Sequence, residues 1–136
     1  MTKTWLAALA FGAMTAVSGP VFADKLKATL NGKSEVPPTS SAGTGTAEFD
    51  YDPATRTIGW ELTFAGLSGP PVSAHVQGPA VPGKTGTVVF ELGPSMLSGK
   101  TVLNDVQAAD LLAGKFYINI RTARFPGGEI RGQIMK

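Results

Sequence analysis

Apolar and polar residues alternate along most of this chain in short runs, and glycine or proline interrupts the runs every several residues. A period of two puts successive side chains on opposite faces of a strand. Short alternating runs between such breakers predict an all-β sandwich or barrel. Lys25-Leu26-Lys27-Ala28-Thr29-Leu30 is the first run, ended by Asn31-Gly32. Glu35-Val36-Pro37-Pro38 then reads as a stiff loop, because proline fixes φ and donates nothing to a ladder. Residues 43–51 predict a second strand with Ala47, Phe49 and Tyr51 on one face. Residues 57–65 predict a third, with Trp60, Leu62 and Phe64 together. Asp52-Pro53-Ala54-Thr55 between them fits a type I turn, so the two strands form a hairpin. Further strands follow at 72–77, at 85–92 (carrying Val88, Phe90 and Leu92), at 100–103, at 115–122 and at 129–135.

One segment breaks the period. Asn104 suits an N-cap, Gln107 stands three residues on as a capping-box partner, and Asp105 favours the positive end of a helix. Gly114 is a natural stop. A short helix is expected over about 104–113, with Val106, Ala109, Leu111 and Leu112 as its apolar side. The first residues follow another pattern. Lys3 precedes the apolar run Trp5 to Met14, then come Ser18-Gly19-Pro20 and Val21-Phe22-Ala23. A charged start, a short apolar middle and a small-x-small ending predict a signal peptide over 1–23, cleaved after Ala23. The run is shorter than the roughly 20 residues that span a bilayer. The expectation is therefore a periplasmic or secreted protein, with no stable membrane insertion after cleavage, whose single domain is 24–136.

The chain has no cysteine, so neither a disulfide framework nor a thiolate metal site is available. The formal net charge is +2 and the charges are scattered, which leaves no electrostatic footprint for nucleic acid.

Several segments then occur in a telling order: Glu35-Val36-Pro37-Pro38, Gly66-Leu67-Ser68-Gly69, Ala74-His75-Val76-Gln77-Gly78-Pro79-Ala80, Leu111-Leu112-Ala113-Gly114, Tyr117-Ile118-Asn119-Ile120 and Phe125-Pro126-Gly127-Gly128-Glu129-Ile130-Arg131-Gly132-Gln133. Together they resemble the CHRD (chordin-type) domain, over essentially all of 24–136. The resemblance implies an exported β-sandwich, and with the pattern above the expected fold is a Greek-key β-sandwich of seven or eight strands with one short helix. A more distant likeness is to the sandwich of copper/zinc superoxide dismutase. CHRD domains commonly carry His-x-His in the fourth strand and another histidine in the seventh, an arrangement that looks like that enzyme's copper strand. Here His75 keeps the first position, but Gln77 and Arg121 stand where the other two histidines would be.

His75 is the only histidine, whereas catalytic zinc takes three protein ligands and copper draws on imidazole or soft sulfur. A copper or zinc site, and with it a dismutase-like activity, is the alternative to a cofactor-free binding or structural module. No Gly-x-Ser-x-Gly elbow occurs, and no catalytic residue is assigned. Strand periodicity does place a candidate face. With Ala74, Val76, Phe116, Ile118, Ile120, Ile130 and Ile134 inward, the opposite face carries His75, Gln77, Tyr117, Asn119, Arg121, Glu129, Arg131 and Gln133. As an ordinary solvated face it would pair Glu129 with Arg121 and Arg131. As a ligand-binding face, His75, Gln77, Tyr117, Asn119, Arg121, Glu129 and Arg131 would suit a planar, anionic or hydroxyl-rich ligand or a protein partner. Membership of a larger surface assembly is a third reading.

Overall fold

The computed structural model describes residues 24–136, so the expected signal peptide at 1–23 lies outside the described residues. Eight strands form: β1 (Asp24–Asn31), β2 (Thr44–Asp52), β3 (Thr57–Ala65), β4 (Pro71–Gly78), β5 (Thr87–Glu91), β6 (Ser98–Val102), β7 (Tyr117–Thr122) and β8 (Ile130–Gln133). One helix, α1 (Asp105–Leu112), precedes β7. All pairings are antiparallel, in the order β5-β4-β7-β8-β1-β2-β3-β6. The sheet curls over on itself at the β8–β1 seam, where pairing shrinks to Asn31↔Arg131 and a bridge between Lys27 and Met135. Leu26, Ala28, Leu30, Phe49, Trp60, Val76, Ile118, Ile120 and Ile130 fill the interior. Trp60 of β3 and Phe90 of β5, from opposite halves, meet with ring centroids 5.8 Å apart. The fold is the expected all-β sandwich.

The β2–β3 hairpin runs in register from Thr44↔Ala65 to Asp52↔Thr57, and the Asp52 carboxylate accepts from Ala54 N at 2.9 Å to shape the turn. Arg56 closes that turn at φ 57°, in the left-handed region. Its carbonyl accepts from Leu103 N at 2.8 Å, and its guanidinium lies 3.2 Å from Asp105, which ties the hairpin to the start of α1. Asn104 and Gln107 form the expected capping box.

Two local expectations change. On α1 the buried side is Ala108 and Leu111, while Val106, Ala109 and Leu112 face solvent, so the apolar residues divide between the two sides of the helix. In β5 the register shifts opposite Val76 and Gln77, so Val88, Phe90 and Leu92 do not share a face. Leu92 is buried, Phe90 is half-buried, and Val88 is exposed, as a bulge dictates.

The seam yields a prediction. A Cβ on Gly132 would collide with the Thr29 carbonyl, a backbone atom that cannot move aside. Gly132→Ala is expected to destabilise by about 1–3 kcal/mol, the usual cost of overpacking. Gly59→Ala, whose new Cβ finds nothing nearer than 3.6 Å, is expected to stay within about 0.5 kcal/mol of wild type. Urea midpoints of the two variants check both.

Candidate functional site

The register assembles the expected face. His75 pairs with Asn119 and Asn119 with Arg131, forming one row across β4, β7 and β8. Gln77, Tyr117 and Gln133 form the next row, and Arg121 stands opposite Ser73. Six of the seven candidate residues are therefore neighbours: His75, Gln77, Tyr117, Asn119, Arg121 and Arg131. Five of them are buried, and Arg121 is half-buried. Tyr117, Asn119 and Arg131 are only 2–3% exposed, and His75 and Gln77 are buried as well. The 79–86 segment lies over them, because its carbonyls take up the donors of the face. Gln77 Nε2 donates to Gly86 O at 2.8 Å, Arg131 Nη2 to Lys84 O at 2.6 Å, and Gln133 Nε2 to Ala80 O at 2.8 Å. Gly86 N donates in turn to Tyr117 Oη at 3.2 Å. The Arg131 guanidinium stacks 3.4 Å above the centre of the Tyr117 ring, an attraction between cation and π-face that strengthens once water is excluded. An ordinary wet face is thus ruled out.

Glu129 departs from the face. It precedes β8, and its side chain turns into the end of the sandwich. The carboxylate accepts from Ser41 Oγ at 2.6 Å, Ser68 Oγ at 2.6 Å, Ser68 N at 2.8 Å and Thr122 Oγ1 at 2.8 Å. The expected pairings with Arg121 and Arg131 do not form, because four donors nearer at hand saturate its oxygens. Burial pushes the carboxyl pKa up, but the bonds from Ser41, Ser68 and Thr122 outweigh it and hold the value down at about 2.

Sequence reasoning missed Glu35. The 32–39 segment folds over the other side of the face, with Thr39 Oγ1 donating to Glu129 O at 2.8 Å. Glu35 is 5% exposed and stands beside Asn119 and Gly128. Gly128 has φ 131°, and a Cβ there would strike both the Glu35 carboxyl and the Asn119 amide. Burial raises the Glu35 pKa to about 7 despite the opposing pull of Arg131 and Arg121. An acid before Val-Pro-Pro carries no local sign that a distant sheet will bury it.

The open flank of the face is the half-buried Arg121 with His75. Arg121 Nη2 donates to Gln77 Oε1 at 3.1 Å, and His75 Nε2 lies 3.6 Å from Glu91 Oε1. Burial and then Arg121 lower the His75 pKa, so the imidazole is neutral at pH 7. Five buried polar atoms in this layer have no hydrogen-bond partner within the protein: Glu35 Oε2, His75 Nδ1, Asn119 Oδ1, Arg121 Nε and Gln133 Oε1. Neither Arg121 nor Arg131 has a carboxylate within ion-pair distance among the described residues. One imidazole beside an amide and a guanidinium does not fit a copper or zinc ion. No group of three or more His, Asp or Glu side chains among the described residues stands where it can hold a metal. Elsewhere a trough of about 620 Å³ crosses the outside of β1, β2, β3 and β6. Its walls are of mixed sign and partly self-neutralised, with Lys25 Nζ 2.5 Å from Asp50.

Glu35 and Glu129 bend the pH dependence of stability in opposite directions. Both start from 4.5 in the absence of the fold. Folded Glu35 keeps its proton up to about 7, so the native chain binds more protons between those values and stability falls as pH rises. Folded Glu129 stays ionised down to about 2, so stability falls as pH drops below 4.5. His75, with its lowered pKa, opposes the Glu35 limb below 6.5. Glu35→Gln is expected to remove the neutral limb, of the order of 3 kcal/mol at 1.36 kcal/mol per unit, and to leave the acid limb intact. Urea midpoints of both proteins from about pH 3 to about pH 8 check it.

The family model described as the CHRD domain matches residues 26–134. Chordin of Danio rerio is 28% identical over 130 residues, which cover 87% of this chain and 13% of that protein. The chain thus spans about an eighth of the length of that relative. No solved structure matches. With every strand inside the matched span except the first two residues of β1, this chain belongs to the CHRD domain family.

Proposed function

We propose that this chain is a non-catalytic binding module of an exported protein, acting in the periplasm or outside the cell. The observation that carries the reading is the use of the polar side chains on β4, β7 and β8. They hold loops in place instead of presenting reactive groups. Glu129, saturated by four donors and with a pKa of about 2, is too weak a base for proton transfer at neutral pH. Export rests on the 1–23 pattern. Among the described residues no helix is long and apolar enough to cross a membrane.

His75, Gln77 and Arg121 form the flank at which a planar anionic or hydroxyl-rich ligand meets the layer. Tyr117, Asn119 and Arg131 support them from within, and Glu129 anchors the end. The unpaired Arg121 Nε and His75 Nδ1 support this division of roles. Arg121→Ala and His75→Gln are expected to lose captured ligand in pull-downs from the native compartment, with urea midpoints close to wild type. Unchanged capture by both variants would remove the flank from consideration. Stoichiometric copper or zinc with dismutase turnover in the untagged protein would overturn the module itself.

A further inference from the structure

The loops that cover the polar layer make a surface of their own. Val36, Pro37 and Pro38 form a ridge with a cleft on either side. Between the ridge and Pro82-Gly83 lies a cleft of about 440 Å³, with Lys33 in its wall. Between the ridge and Phe125-Pro126-Gly127 lies one of about 220 Å³, with Arg124 in its wall. The exposed apolar groups are substantial for loops: Val36 is 43% and Val81 53% accessible.

Two properties set this surface apart. The first is stiffness from below. The 79–86 segment is held by Arg131, Gln133, Gln77 and Tyr117, and the 32–39 segment by Thr39 and the packing of Glu35 against Gly128. Proline removes further backbone freedom, so little entropy remains to be lost on docking. The second is charge. Every exposed charge on segments 32–43, 79–86 and 123–129 is positive, namely Lys33, Lys84 and Arg124, while the acids there, Glu35 and Glu129, are buried.

We propose that this two-cleft surface docks an acidic segment of a protein partner, with one apolar side chain seated against Val36 and carboxylates facing Lys33, Lys84 and Arg124. The proposal rests on the module reading and deepens it by naming the class of partner. A sulfated polysaccharide would use the cations but leave the valine and proline walls unpartnered. A second copy would bring the same positive face against itself, so like charges would meet across a two-fold axis.

Display selection with random peptides of about twelve residues, against the purified protein, tests the surface. The expected result is enrichment of peptides with acidic residues flanking an apolar anchor. Amide shifts in the labelled protein should then fall at 33–38, 81–84 and 124–127. Affinity should drop at least about tenfold in the Lys33→Glu/Lys84→Glu/Arg124→Glu variant and at high salt. These three side chains are exposed, so the variant should keep its urea midpoint. Failure to enrich, enrichment of basic peptides, or undiminished binding by the variant would overturn the proposal. So would heparin retention without peptide enrichment, or concentration-dependent dimerisation through the same amides. Peptides whose shifts map to His75 and Arg121 would overturn this surface and leave the module reading standing. Metal-dependent turnover would overturn the module reading itself.

Discussion

Three distant segments at one end of this sandwich are tied together by one buried carboxylate, that of Glu129. Glu129 is inaccessible to solvent, and burying an ion without partners costs several kcal/mol. Its four donors come from three places far apart in the chain: Ser41 after β1, Ser68 after β3, and Thr122 at the end of β7. Charge-assisted bonds of this kind are short and roughly twice as strong as neutral ones. The anion is satisfied only when all three segments are in position at once. That condition makes it a lock between loops. Deleting any one hydroxyl leaves the buried charge a donor short, so the cost of loss exceeds what one ordinary hydrogen bond contributes.

The segments that carry the family resemblance converge on this lock and on the layer next to it. Ser68 of Gly66-Leu67-Ser68-Gly69 reaches Glu129 of the closing segment. Glu35 of Glu35-Val36-Pro37-Pro38 packs against Gly128 and Asn119. Ala80 donates its N–H to Lys115 O and accepts from Gln133 Nε2, which also reaches Gly114 at the end of Leu111-Leu112-Ala113-Gly114. Stretches that look unrelated along the chain thus make one continuous polar construction around β7 and β8. It does for the loops what disulfides do in small exported domains, and this chain has no cysteine to do it otherwise.

Local pattern carried much of the fold. Alternation located every strand to within a few residues, Asp52-Pro53 marked the hairpin, and Asn104 with Gln107 marked the helix start, because each of these is decided by neighbours in sequence. Parity likewise placed His75, Gln77, Tyr117, Asn119, Arg121 and Arg131 on one face. What stayed illegible depends on distant partners. Nothing near residue 35 says that its carboxyl will be buried against Asn119 of β7 and Gly128 ahead of β8. Parity also fails at Glu129, which lies just before its strand begins and so is free to turn inward. The outward Val106 and Leu112 show the same limit, since only Ala108 and Leu111 of α1 reach the core.

A polar layer this deep is an expensive way to fill space. Well-packed apolar residues of similar volume often leave a protein as stable or more so. Here Glu35 Oε2, Asn119 Oδ1 and Arg121 Nε remain without partners in the protein, and each such group costs roughly 1–3 kcal/mol. Stability alone therefore does not account for the layer. Its geometry does: amides and guanidinium groups are what can grip the carbonyls of an irregular loop, since an apolar face offers them no donors. The layer trades stability for loops of fixed shape, which is the property the proposed docking surface requires.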